Sequence, residues 1–354
     1  MKRFIFISMF FLVLFSCRRG DFGEVRPDDP LPMFSSNGIW LTNEGQFGFG
    51  NGEISFIDIE KSAIYNNVFF SANGISPGDI PFDVFVDEDI ILLTVNNSGR
   101  LWVLQKSDFK IKNSIHEIIS PRFIQKIAHK KYAVSSFAND SMYIVDLNVE
   151  TPLISPFYTG KSTENMVYYG NILYASNWSS YGGNYDNTTV QLINPLALQI
   201  VGQIKVGKEP NSMVLDKNDK LWVLCSGGFM NEEKARLFRI NTASNSVEQE
   251  FEFPNISMAP VSLSINPEGD RLYFLNGDVY EMSIDDVVLP AIPFVESGSR
   301  SFYGVNAFLL NDAVVVTDAG NYQVPGQVIF YNLLGVEQAV YRAGIIPGNL
   351  RRNY

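Results

Sequence analysis

Seven times along the chain, a short apolar run closing on a small or polar residue is followed by a second apolar run. The first kind occupies residues 39–42, 92–94, 132–135, 173–176, 222–225, 273–276 and 314–317, for example Trp222-Val223-Leu224-Cys225. Their last residues lie 52, 41, 41, 49, 51 and 41 apart. The second kind occupies 54–58, 101–105, 142–146, 190–194, 237–241, 279–283 and 328–332. Five of these seven end in Asp or Asn, side chains that bond their own backbone and open turns. A third mark precedes many units: Pro81, Pro121, Pro210 and Pro260 each stand 13 to 16 residues before the end of a first-kind run. Proline is tolerated at the first residue of a strand.

The runs are too short and too rich in aromatic and branched residues for helices, and no 3.6-residue period accompanies them. Units of about 46 residues with several short strands each match propeller blades. A single open sheet of this many strands would curl or split. Pro347 is a further copy of the third mark with no strand after it, and the Trp40 unit has no such mark before it. The two orphans fit each other. The sequence therefore predicts an all-β, seven-bladed β-propeller whose C-terminal strand completes the blade begun at Trp40.

Composition narrows the function. Hydrophobic residues make up 46% and charged residues 18%, which excludes a disordered chain. A formal net charge of −11 argues against nucleic acid and other polyphosphate partners, which need clustered Lys and Arg. Two Cys and two His give neither a disulfide framework nor a Cys- or His-rich metal site. No nucleophile elbow, P-loop or His-Glu-x-x-His run is present. The expectation is a non-enzymatic protein without cofactor or metal. Cys225, at the end of a buried type of strand, reads as an inert core thiol.

The N-terminus reads as an address. Lys2 and Arg3 precede an apolar run, residues 4–15, broken only by Ser8. That run is shorter than the roughly 20 residues a membrane span needs, and the pattern is that of a secretory signal. It ends Leu14-Phe15-Ser16-Cys17, which resembles the bacterial lipobox and implies lipidation of Cys17. The predicted organisation is a signal peptide over 1–16, the lipidated Cys and a polar tether over 17–32, and the propeller over 33–354.

Three segments resemble a known family. They are residues 41–52 (LTNEGQFGFGNG), 68–74 (VFFSANG) and 343–348 (AGIIPG). They are similar to the YncE-like propeller lipoproteins of Gram-negative outer membranes, and within these to the BtuG-like cobalamin-binding proteins. The resemblance implies an outer-membrane, surface-exposed lipoprotein that captures a corrinoid and hands it to a TonB-dependent transporter. A periplasmic orientation is the alternative address.

The loops between the two strand types are long in units one, four, five and seven, and fall on one face. The candidate ligand-binding residues there are Asn43, Glu44, Phe47, Phe49, Trp178, Tyr181, Tyr185, Phe229, Asp318 and Tyr322. Aromatic rings give contact area at low entropic cost, and Asn and Gly adapt to polar groups. A flat, amide-rimmed ligand suits such a surface. So does a glycan or a protein partner, and a propeller lactonase or hydrolase would instead gather carboxylates or a metal at the channel.

Overall fold

In a computed structural model, residues 31, 33–178, 187–310 and 312–354 are described. The chain runs through β1 (Gly38–Asn43), β2 (Glu53–Asp58), β3 (Ala63–Tyr65) and a six-residue helix α1 (Val68–Asn73). Blade two follows as β4 (Pro81–Val86), β5 (Ile90–Val95), β6 (Arg100–Gln105) and β7 (Ile111–Ile115), and blade three as β8 (Pro121–Ala128), β9 (Lys131–Ser136), β10 (Ser141–Asp146) and β11 (Leu153–Tyr158). Blade four holds β12 (Met166–Tyr169), β13 (Ile172–Ser176), β14 (Thr189–Asn194) and β15 (Gln199–Lys205). Blade five holds β16 (Pro210–Leu215), β17 (Lys220–Cys225), β18 (Arg236–Asn241) and β19 (Ser246–Glu252). Blade six has three strands, β20 (Val261–Ile265), β21 (Arg271–Asn276) and β22 (Asp278–Ser283). Blade seven is β23 (Phe302–Asn306), β24 (Ala313–Asp318), β25 (Pro325–Asn332) and β26 (Glu337–Ile345), and β27 (Pro347–Asn353) ends the chain.

All blades are antiparallel, and blade one has the order β27-β1-β2-β3. The ring is therefore closed by both ends of the chain. Gly38 faces Asn353 and Leu41 faces Leu350 across that seam. The buried Trp40 indole donates to Asn353 Oδ1 at 3.3 Å. Asn43 accepts from the Gly344 amide at 2.9 Å and donates to Ser55 at 2.8 Å.

Each of the fourteen apolar runs lies inside a strand. Their continuity has a physical cause. A second strand such as β1, β5 or β17 is covered by neighbouring blades on both faces, so nearly every residue is buried and no alternation remains. Trp40 and Trp222 are fully buried in this way, each contributing roughly 2–3 kcal/mol. Outer strands such as β19 are mostly exposed and polar, which discourages edge-to-edge pairing.

The inner strands β27, β4, β8, β12, β16, β20 and β23 touch their neighbours in a closed circle around the axis. Side chains stitch them together by accepting from the next blade's backbone. Asp83 takes the Ile124 amide, Asn165 that of Met213, Ser212 that of Leu263 and Ser262 that of Val305, all at 2.9–3.0 Å. Because every inner strand runs in the same direction, their first residues collect at one face. That face also carries the β1–β2, β5–β6, β9–β10, β17–β18 and β24–β25 loops. The N-terminal segment enters from the other face, where Phe34 packs against Trp40 and Phe109. No helix among the described residues is long and apolar enough to cross a membrane.

Candidate functional site

The mouth of the central channel is a cavity of about 480 Å³ to which all seven inner strands or their leading residues contribute. Position in the repeat decides who lines it. The residue after each marking proline faces the channel: Phe82, Arg122, Asn211, Val261 and Gly348. Tyr303 holds the equivalent place in β23, and Glu164 lies just ahead of β12.

Arg122 is the cation of the mouth. Its Nε bonds Glu164 at 3.0 and 3.1 Å, and one terminal nitrogen bonds it at 2.6 Å. The side chains are 16% and 6% exposed, so water screens the pair little. The guanidinium also lies 3.5 Å from the centroid of the Phe82 ring, with Phe137 at 5.5 Å and Trp178 at 5.8 Å. Cations sit well over such faces. Burial alone would lower the Arg122 pKa, but Glu164 and, further off, Glu44 outweigh it and keep the group charged.

Glu44 is the second carboxylate. Its backbone amide bonds the Ile346 carbonyl at 2.9 Å, so the seam that closes the ring also aims this side chain into the channel. The Tyr303 hydroxyl donates to its Oε1 at 3.0 Å. Burial raises the Glu44 pKa above the ordinary 4.5, against the lowering pull of Arg122 and of the Tyr303 hydrogen bond. The same burial, with Glu44 beside it, pushes the Tyr303 hydroxyl well above its usual pKa. Tyr322 completes this side, its ring edge-on to Tyr303 at 6.0 Å between centroids. Its backbone is left-handed at φ 63°, a conformation rare for a bulky residue.

Of the residues selected from sequence, Glu44, Trp178 and Tyr322 meet at this cavity. Trp178 is positioned by the Asn187 side chain, which donates to its carbonyl at 3.0 Å. Phe47, Phe49 and Phe229 stand on the same face as exposed loop tips, outside the cavity lining. Asn43 and Asp318 have their side chains engaged in the fold. Asn43 holds the seam, and Asp318 accepts from the Ser301 and Gly320 amides at 2.9 Å. Tyr181, Tyr185 and Cys17 lie outside the described residues. Arg122, Glu164 and Tyr303 were not among the sequence candidates, although the proline mark pointed one residue short of Arg122. Among the described residues no group of three His, Cys, Asp or Glu could hold a metal ion. Cys225 is fully buried, and burial pushes its thiol pKa up.

The fold is shared widely. A quinonprotein alcohol dehydrogenase-like protein from Bacteroides thetaiotaomicron aligns with a TM-score of 0.67 at 14% identity, covering 91% of this chain and 79% of that one. The dihydro-heme d1 dehydrogenase NirN, solved in complex with DHE, aligns at 0.61 and 9% identity over 93% of this chain and 78% of its own. The β-propeller domain of Myceliophteria thermophila Cps50 (Swd1) aligns at 0.61 and 11% identity over 78% and 93%. Identities this low establish the propeller scaffold and nothing finer. No curated protein matches the chain in sequence. Residues 37–335 match the family model described as "Domain of unknown function (DUF5074)", and the chain belongs to the DUF5074 family.

Proposed function

We propose that this protein is a lipid-anchored outer-membrane protein that captures a small ligand at the channel mouth, without turnover, and passes it to a TonB-dependent transporter. The observation that carries the reading is the mouth itself: aromatic rings, two buried carboxylates and a buried guanidinium converge on one cavity. Concave sites that combine aromatic walls with convergent polar groups are where ligands bind. The entry of the N-terminal segment at the opposite face is a second support, because an anchor at Cys17 would leave the mouth unobstructed.

A corrinoid is the ligand class suggested by the resemblance of residues 41–52, 68–74 and 343–348. Such a ligand would lie across the mouth and send one amide-bearing arm inward. Phe47, Phe49 and Phe229 would then form the rim. These exposed tips also favour a second reading, in which the same face grips a protein or glycan. Calorimetric titration with cyanocobalamin tests the first. Submicromolar binding is expected. No binding up to about 100 μM, equivalent to about 5.5 kcal/mol, would remove the corrinoid and leave the second reading.

A further inference from the structure

Among the described residues the channel mouth holds two carboxylates, Glu44 and Glu164, and one cation, Arg122. Arg122 is paired with Glu164 through Nε and one terminal nitrogen, within an aromatic surround of Phe82, Phe137 and Trp178. Rings and a carboxylate around a cation make a cage, and here the chain fills it from within. The other side of the cavity carries the same components. Tyr303 and Tyr322 stand edge to face at 6.0 Å, and Tyr303 fixes Glu44 through Oε1 at 3.0 Å. Glu44 is only 9% exposed, and among the described residues its Oε2 has no hydrogen bond or ion pair.

We propose that Glu44, Tyr303 and Tyr322 form a receptor for an N–H donor on the ligand, a protonated amine or a primary amide, and that this half of the mouth rejects carboxylates. The inference rests on the reading of the mouth as the ligand site. Its chemistry follows from what is unspent. Glu44 Oε2 is an acceptor in a cavity that Tyr303 and Tyr322 also line, which suits a cationic or polarised N–H group. An incoming anion would meet Glu44 and Glu164 at close range in a poorly screened cavity, and the one guanidinium that lines it among the described residues is already paired.

The test uses three probes of one length on the purified protein: 3-phenylpropylammonium, 3-phenylpropionamide and 3-phenylpropionate, followed by ligand-observed NMR. The ammonium and the amide are expected to bind at least tenfold more tightly than the carboxylate. Glu44→Gln keeps an acceptor for Tyr303, and it is expected to weaken the ammonium at least tenfold while leaving the amide within about threefold. Tyr322→Leu is expected to weaken both, and a cooperative melt for each variant, for Glu44→Gln at a temperature no lower than that of wild type, confirms that the variants fold. Equal binding of ammonium and carboxylate, no binding of any probe up to about 10 mM, or indifference to Glu44→Gln would each overturn the inference. Cyanocobalamin titrated in parallel separates the two ideas. Its binding without a donor preference overturns this inference alone, and a donor preference without its binding overturns the corrinoid assignment alone.

Discussion

Replacing Arg122 by Met removes the only cation that lines the channel mouth among the described residues and keeps most of the apolar volume over Phe82. What remains is Glu164, its side chain 6% exposed, with no partner for its carboxylate. Breaking a buried pair in this way costs about 3–5 kcal/mol, because the surviving charge stays desolvated. At about 2 °C per kcal/mol for a domain of this size, the melting temperature should fall by roughly 5–10 °C. The loss should depend on pH with a definite sign. Burial raises the folded-state pKa of Glu164 above its ordinary 4.5 even beside Arg122, whose pull is downward, so removing Arg122 raises it further. The protonated form is then the favoured one in the fold, so the deficit is smallest below that ordinary value. It grows as pH rises towards the raised folded value, because the fold holds a proton that the unfolded chain has released. The double variant Arg122→Met/Glu164→Leu should recover to within about 1 kcal/mol of wild type or exceed it, since apolar replacement of a buried pair is often neutral or better. Urea unfolding at several pH values measures all three proteins. A single variant as stable as wild type, or a double variant no better than the single, would refute the reasoning.

Other consequences follow from the same geometry. Glu44→Gln should gain stability relative to wild type as pH rises above the ordinary carboxyl value of 4.5, because it removes a carboxyl whose folded pKa is raised by burial; pH-dependent denaturation reads this directly. Asn43→Ala should cost about 1–3 kcal/mol by leaving the Gly344 amide unpaired inside the seam, without altering ligand affinity beyond what misfolding explains. Removing residues 347–354 deletes β27, unpairs β1 and opens the ring, and circular dichroism should report loss of the cooperative melt. Cys225 should resist maleimide in the folded protein and react once denaturant is added, since its thiol is wholly buried.

The fold was readable because its second and third strands are buried on both faces. That burial forces runs such as Trp222-Val223-Leu224-Cys225 and Leu101-Trp102-Val103-Leu104, whose shortness and regular recurrence set them apart from buried helices. The first strands were harder to see. They line a channel, so β8 (PRFIQKIA) mixes polar and apolar residues and betrays itself mainly by Pro121. The three-stranded sixth blade fits the shortest of the seven inter-strand connections, where only Gly277 separates β21 from β22. The helix α1 left no trace in the hydrophobic pattern. At six residues between the left-handed Asn67 and Gly74, it is too short to show a period.

The site was legible in part, and for a definable reason. Loop length and aromatic content found Glu44, Trp178 and Tyr322. The same criteria selected Asn43 and Asp318, whose side chains are occupied with backbone amides, because sequence does not tell an Asn that holds a turn from one that faces a ligand. Arg122, Glu164 and Tyr303 sit at the start of inner strands, and loop criteria do not reach them. The residue following each blade's proline was the available signal, and it places Phe82, Arg122, Asn211, Val261 and Gly348 around one opening.

The most direct test of the account is a paired calorimetric titration with cyanocobalamin of the wild-type protein and the Trp178→Ala/Tyr322→Ala variant. The account expects submicromolar binding by the first. It expects a loss of at least about a hundredfold, or about 2.7 kcal/mol, in the second, with both proteins melting at similar temperatures. Undiminished affinity in the variant would place the ligand elsewhere on the propeller, and no binding by either protein would contradict capture of a corrinoid at the channel mouth.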